Sequence, residues 1–163
     1  MNSANHIGDR GEAIFHAVMT RFHGRLPLFR VRHLGEKWPL VDFVCELEGP
    51  WKRQRPFFLA QVKATQQGFT KDGRRLKVSI KAKRALALSA YKAPVYVVGV
   101  DEQSERAFVV GAAGRRISGL SSIYCGGELN TSGRRALWDE VRRYWLKVPR
   151  QKRWTAFHEP KWK

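Results

Sequence analysis

The chain has 163 residues, 43% of them hydrophobic and 12% aromatic, and carries 31 Lys and Arg against 14 Asp and Glu, a formal charge of +17. That length suits one domain with a real core, and a charge so far beyond what solubility requires points to a polyanion, nucleic acid ahead of a lipid surface. No run approaches the roughly 20 apolar residues that span a bilayer and no apolar signal core follows the first charges, so a cytoplasmic, nucleoid-associated protein is expected.

Residues 8 to 23 read as a helix, with Ile14, Val18 and Phe22 at helical spacing and Phe15 and Met19 widening the stripe. Glu12 lies on the edge of that stripe, where an acid early in a helix can simply complement the helix dipole. Residues 27 to 32 alternate apolar and basic side chains as a half-exposed strand does. Leu40 to Leu47 reads as a buried strand carrying Asp42, and after the break at Gly49-Pro50 a second strand, Phe57 to Ala64, carries Gln61 and Lys63 on one face.

A turn at Asp72-Gly73 precedes a short strand over Leu76 to Ile80, and the Ala- and Leu-rich stretch Lys81 to Tyr91 is a helix that stops before Pro94. Val95 to Val100 is the most apolar strand. Asp101 closes it, as a turn-initiating residue or as a second acid directed toward the Asp42 region, and Ala107 to Gly111 is its hairpin partner. The Gly- and Ser-rich segment 112 to 130 carries no assignment. Thr131 or Ser132 caps a last helix to about Leu146, buried through Leu137, Trp138, Val141, Trp145 and Leu146. The expected organisation is one domain over 1–148 and a basic, aromatic tail over 149–163.

Cys45 and Cys125 have no CxxC partner, and the five histidines show no metal-binding spacing, so neither a disulfide framework nor a zinc site is indicated. A carboxylate on one strand and a Gln-x-Lys on the next is a costly arrangement inside a sheet, one that usually marks pairing, metal binding or catalysis. The plain alternative is that Asp42 caps a turn or pairs with an Arg while Gln61 and Lys63 lie on a solvated face.

The order of Gly11-Glu12 in the first helix, Asp42 on a strand and Gln61-Val62-Lys63 on the next resembles the PD-(D/E)xK nuclease superfamily. The Gly-Glu pair is similar to the Holliday-junction resolvase branch and the Gln-x-Lys to the Mrr-type restriction endonuclease branch, over roughly residues 8 to 111. The resemblance implies an α/β, restriction-endonuclease-like α-β-β-β-α-β core. It further implies a central mixed sheet flanked by helices, with the C-terminal helix as an addition. It also implies a Mg²⁺- or Mn²⁺-dependent DNA endonuclease of restriction, defence or junction-processing type. Asp42 would be the principal metal ligand, Gln61 and the Val62 carbonyl would add oxygens, Glu12 would ligate directly or through water, and Lys63 would orient the nucleophilic water. An amide where the superfamily more often has a carboxylate removes one negative charge and raises the importance of Glu12.

The expected partner is duplex or branched DNA, with a homodimer and additional subunits carried over from the superfamily. Two basic clusters would meet it. Lys71, Arg74, Arg75, Lys77, Lys81, Lys83 and Arg84 follow the Lys63 strand, and Arg150, Lys152, Arg153 and Trp154 stand in the tail, where interleaved aromatics suit base stacking. The alternatives are a non-catalytic nucleic-acid-binding module on a nuclease fold and a basic RNA-associated protein.

Overall fold

The computed structural model describes residues 3–35, 38–52, 55–113 and 118–147. Among these the chain forms α1 (Ser3–Thr20), β1 (Phe29–His33), β2 (Phe43–Leu47), β3 (Phe57–Thr65), α2 (Ala82–Ser89), β4 (Val95–Asp101), β5 (Arg106–Gly111) and α3 (Thr131–Lys147). The five strands lie in sequence order in one mixed α/β sheet. Neighbours are antiparallel except β3 and β4, which pair in parallel from Leu59↔Val95 to Thr65↔Asp101. A parallel pair needs a crossover, and α2 provides it. Two-residue ribbons, Phe22–His23 with Leu26–Pro27 and Arg75–Leu76 with Ile123–Tyr124, tie the connections together.

Each face of the sheet has its own apolar layer. Phe58, Ala60 and Val62 alternate onto the face covered by Phe15, Val18 and Met19 of α1 and Leu137 and Val141 of α3. Leu59 faces the other way, against Ala85 and Leu88 of α2 with Leu76, Val78 and Ile123. β4 is buried along its whole length, as expected of an apolar strand paired on both edges inside a two-sided sheet. No helix among the described residues is long and apolar enough to cross a membrane.

Several sequence-based expectations change. The first helix begins at Ser3 and ends at Thr20, so Phe22 leaves the stripe and is 69% exposed. The helix stops where Arg134, itself buried, donates through Nη1 to the carbonyls of Val18 and Arg21 at 2.8 and 3.0 Å. A cation on the free carbonyls of a helix end is favourable both as a hydrogen bond and against the dipole. The last helix is capped by Asn130, not Thr131 or Ser132: Asn130 Oδ1 accepts the Gly133 N–H at 2.9 Å. Leu146 is exposed at 66%, outside the buried stripe. The expected strand over Leu76 to Ile80 shrinks to the Arg75–Leu76 ribbon, and Leu40 to Asp42 precede β2 instead of belonging to it.

Candidate active site

The shift of Asp42 off the strand creates the site. Pairing between β2 and β3 runs only from Glu46↔Phe57 to Phe43↔Ala60, with one further bond from the Asp42 N–H to the Ala60 carbonyl at 2.9 Å. Beyond that point β3 continues alone on this side. Its next inward-facing N–H, that of Val62, is taken by Asp42 Oδ2 at 2.7 Å. In an extended strand a residue's N–H and C=O project to the same side, so the Val62 carbonyl also faces this fork. A carboxylate thus stands where two strands part, at the carboxyl end of the central strand, the region where open α/β sheets bind ligands.

Gln61 is 2% exposed and holds the approach to Asp42. Its Nε2 donates to the Leu40 carbonyl at 2.6 Å, and a carbonyl can only accept, which fixes the amide orientation. Leu40 has φ +75°, a left-handed conformation that costs a branched residue about 1–2 kcal/mol. Gln61 therefore secures a strained turn two residues before Asp42. Its Oε1, pointing the other way, is buried with no hydrogen-bond partner.

Glu12 arrives from α1. Gly11 packs on Ala64 of β3, and a Cβ built on it would fall far inside contact with the Ala64 Cβ. The missing side chain lets α1 ride low on the sheet and brings Glu12 to the fork. Glu12 Oε2 meets His33 Nε2 at 2.8 Å. Burial pushes the Glu12 carboxyl above its usual pKa, the nearby Asp42 charge pushes it further, and His33 opposes both. Lys63 is held below the usual lysine range by burial and then by Arg84, while Asp42 and Glu12 pull it back up. Glu12, Asp42 and Lys63 are thus close enough to feel one another's charge.

The Gly11 contact yields a test. Gly11→Ala gains about 1 kcal/mol of helix propensity but forces two backbone-anchored Cβ atoms together, and overpacking of this kind costs about 1–3 kcal/mol. Neither atom can rotate away, so the clash wins. Urea unfolding should show Gly11→Ala less stable than the wild type and Ala64→Gly added to it recovering part of the loss. A single variant at wild-type stability would contradict the close approach.

Of the four sequence-predicted residues, Glu12, Asp42 and Lys63 lie close enough to interact, with His33 bonded to Glu12, while the Gln61 side chain bonds the Leu40 carbonyl. The position of His33 was readable: Phe29, Val31 and His33 alternate onto the α1 face, with Phe29 and Val31 in that core layer and the His33 ring 5.1 Å from that of Phe43. Asp101 has the turn role expected, with Oδ2 accepting from the Ser104 N–H and hydroxyl. Of the first basic cluster, Arg75 is engaged in structure, donating to the Ser122 hydroxyl and carbonyl at 2.8 and 2.7 Å. Lys71, Arg74, Lys77, Lys81 and Lys83 are exposed. Arg150, Lys152, Arg153 and Trp154 lie outside the described residues.

Among the described residues no group of three or more His, Cys, Asp or Glu is gathered as a metal site. What the fork offers is a smaller set, the Asp42 and Glu12 carboxylates with the Val62 carbonyl on the same side of β3; the Gln61 oxygen nearby in the chain is buried and without a hydrogen-bond partner. All are hard oxygen donors, the kind Mg²⁺ and Mn²⁺ prefer, and Mg²⁺ commonly completes its shell with water. The donor chemistry fits such an ion, and Glu12, which now meets His33, would be one of the residues to hold it. Comparison with protein-family models, with curated proteins and with solved structures gave no match to this chain.

Proposed function

We propose that this chain is a divalent-metal-dependent DNA endonuclease with a restriction-endonuclease-like core. The order α1, β1, β2, β3, α2, β4 is that of the α-β-β-β-α-β unit, and the observation that carries the reading is Asp42 in the strand fork, bonded to the Val62 N–H beside Glu12 and Lys63. Asp42, Gln61, the Val62 carbonyl and Glu12 would hold Mg²⁺ or Mn²⁺. A bound ion of this kind supplies Lewis acidity and a lowered pKa for its water.

The chain's own residues do the rest. Lys63, half-buried and flanked by both carboxylates, offers a cation to the negative charge that develops on the phosphate. Glu12, whose carboxyl is held above its usual range by burial and by the Asp42 charge, would be the nearest carboxylate to take a proton from an attacking water. The Val62 N–H and the Gln61 amide fix Asp42 so that it does not reorganise during the reaction. The partner on this reading is duplex or branched DNA, and cutting both strands calls for two copies.

The test uses supercoiled, linear and branched DNA with Mg²⁺ or Mn²⁺, and then EDTA. Nicked or linear products should form only with metal and should disappear with Lys63→Met, while DNA retention in a gel persists. A second reading, a non-catalytic nucleic-acid-binding module, is favoured by the His33 contact that occupies Glu12. It predicts salt-sensitive binding and no products on any substrate with any metal.

A further inference from the structure

On the α2 face of the sheet, at the end of β3, a recess of about 300 Å³ opens between Lys63, Lys81 and Arg84 over Val78 and Ile80. Among the described residues some cations elsewhere have carboxylate partners, Arg106 with Glu128 at 2.7 Å and Arg30, Arg32 and Arg55 with Glu46 or Glu48, while exposed ones such as Lys71, Arg74 and Lys77 have none. Among the described residues none of the three cations around the recess is ion-paired to a carboxylate. All three line the one recess.

Holding like charges together around an open space is unfavourable unless an anion enters it. The same recess receives the start of α2. Lys81 is the cap residue there, makes no side-chain cap bond, and no acid stands in the first turn. Caps are ordinarily Ser, Thr, Asp or Asn, and first turns favour acids. The Arg84 and Ala85 N–H groups are already bonded to the Lys81 carbonyl and Gly119 packs closely on Ala82, so it is the basic side chains at this end, rather than its amides, that an anion would meet.

We propose that this recess seats a backbone phosphate of the bound strand, distinct from the phosphate attacked at Asp42 and Glu12, with Arg84 and Lys81 gripping it and Lys63 as the wall shared by the two positions. The DNA origin of that phosphate rests on the nuclease reading; the affinity for phosphate does not. Arg84 offers a planar fork to two phosphate oxygens, and Lys81 a point charge. The seat narrows the first basic cluster to the members that set where the strand lies. Arg75, pinned to Ser122, is not one of them.

Inorganic phosphate titrated into the full chain in EDTA, followed by ¹H–¹⁵N spectra, should shift the amides of Ala82 to Ala85. Arg84→Gln and Lys81→Gln should each weaken that response at least about fivefold while far-UV spectra stay unchanged. Lys81 lies outside the helix, so its variant keeps the test alive if the first fails to fold. In DNA binding without metal, Arg84→Gln should lower the slope of log affinity against log salt by about one unit. With cleavage active, it should raise KM and leave kcat, whereas Lys63→Met loses kcat. Phosphate that shifts none of these amides, or binds Arg84→Gln as it binds the wild type, overturns the seat even if DNA is cut. Phosphate seated normally in a protein that cuts nothing leaves the seat standing and removes the nuclease reading.

Discussion

On the proposed nuclease reading, Asp42→Asn should cost at least about a hundredfold in metal-dependent DNA cleavage while leaving the fold intact. The substitution keeps an oxygen that can accept the Val62 N–H, now bonded to Oδ2 at 2.7 Å, so the fork stays closed and stability should change by less than about 1 kcal/mol. What disappears is the charge. Metal affinity follows the number of ligand charges, and loss of a supporting group alone commonly costs 10–100-fold, so the principal carboxylate sets a larger effect.

The same change has a readout that does not depend on cleavage. The Asp42 charge is the second largest cause raising the Glu12 pKa and one of two that raise that of Lys63. In Asp42→Asn both groups should therefore titrate lower, seen as carboxyl and amine resonances by NMR. Asp42→Ala differs again. It leaves the Val62 N–H without its acceptor, at about 1–3 kcal/mol, so it should lose stability as well as activity. An Asn variant that cuts at the wild-type rate, or a Glu12 titration that does not move, would remove Asp42 from the centre of the site.

The strand and helix order was legible because apolar periodicity is a local signal. Alternation marked β1, mostly apolar runs marked β2 and β4, and helical spacing marked α1 and α3. The boundaries were less so. One was set by a partner distant in sequence, since Arg134 ends α1 from 113 residues away; another was set locally, where Asn130 outcompetes two neighbouring hydroxyl residues because its side chain reaches the Gly133 N–H. The candidate site follows the same division. Residue types and order singled out Glu12, Asp42, Gln61 and Lys63, but the reasons for their arrangement are tertiary. Gly11 could be read as part of a motif, while its purpose, the approach of α1 to Ala64, needs the packed helix. The left-handed Leu40 carries no sequence signal at all, since Leu is a poor candidate for positive φ.

That turn explains the least conventional residue in the resemblance and gives it an expected result. Gln61→Glu supplies the carboxylate that the resemblance would lead one to expect, and it should nevertheless lower stability and, on the proposed reading, cleavage. The wild-type Nε2 donates to the Leu40 carbonyl at 2.6 Å. An ionised carboxyl has no proton to give and would set a negative oxygen against that carbonyl at a position 2% exposed. A buried charge with no partner costs about 3–5 kcal/mol, and the φ +75° turn that positions Asp42 would lose its anchor. The sign with pH follows. Burial and the carbonyl raise the folded-state pKa of the introduced group above its unfolded value of about 4.3. Its protonated form can donate to Leu40, so its contribution is intact below the unfolded pKa and is lost as pH rises through the folded one. Measured in EDTA as the difference from wild type, which cancels the titration of Glu12 and Asp42 to first order, the deficit should be small near pH 4 and reach about 3 kcal/mol by pH 7. If Gln61→Glu is as stable as the wild type at pH 7, or cuts faster with Mg²⁺, the amide is a replaceable ligand. If the deficit opens with pH as described, this chain has Gln at position 61 because only an amide can hold Leu40 with its nitrogen while leaving an oxygen free.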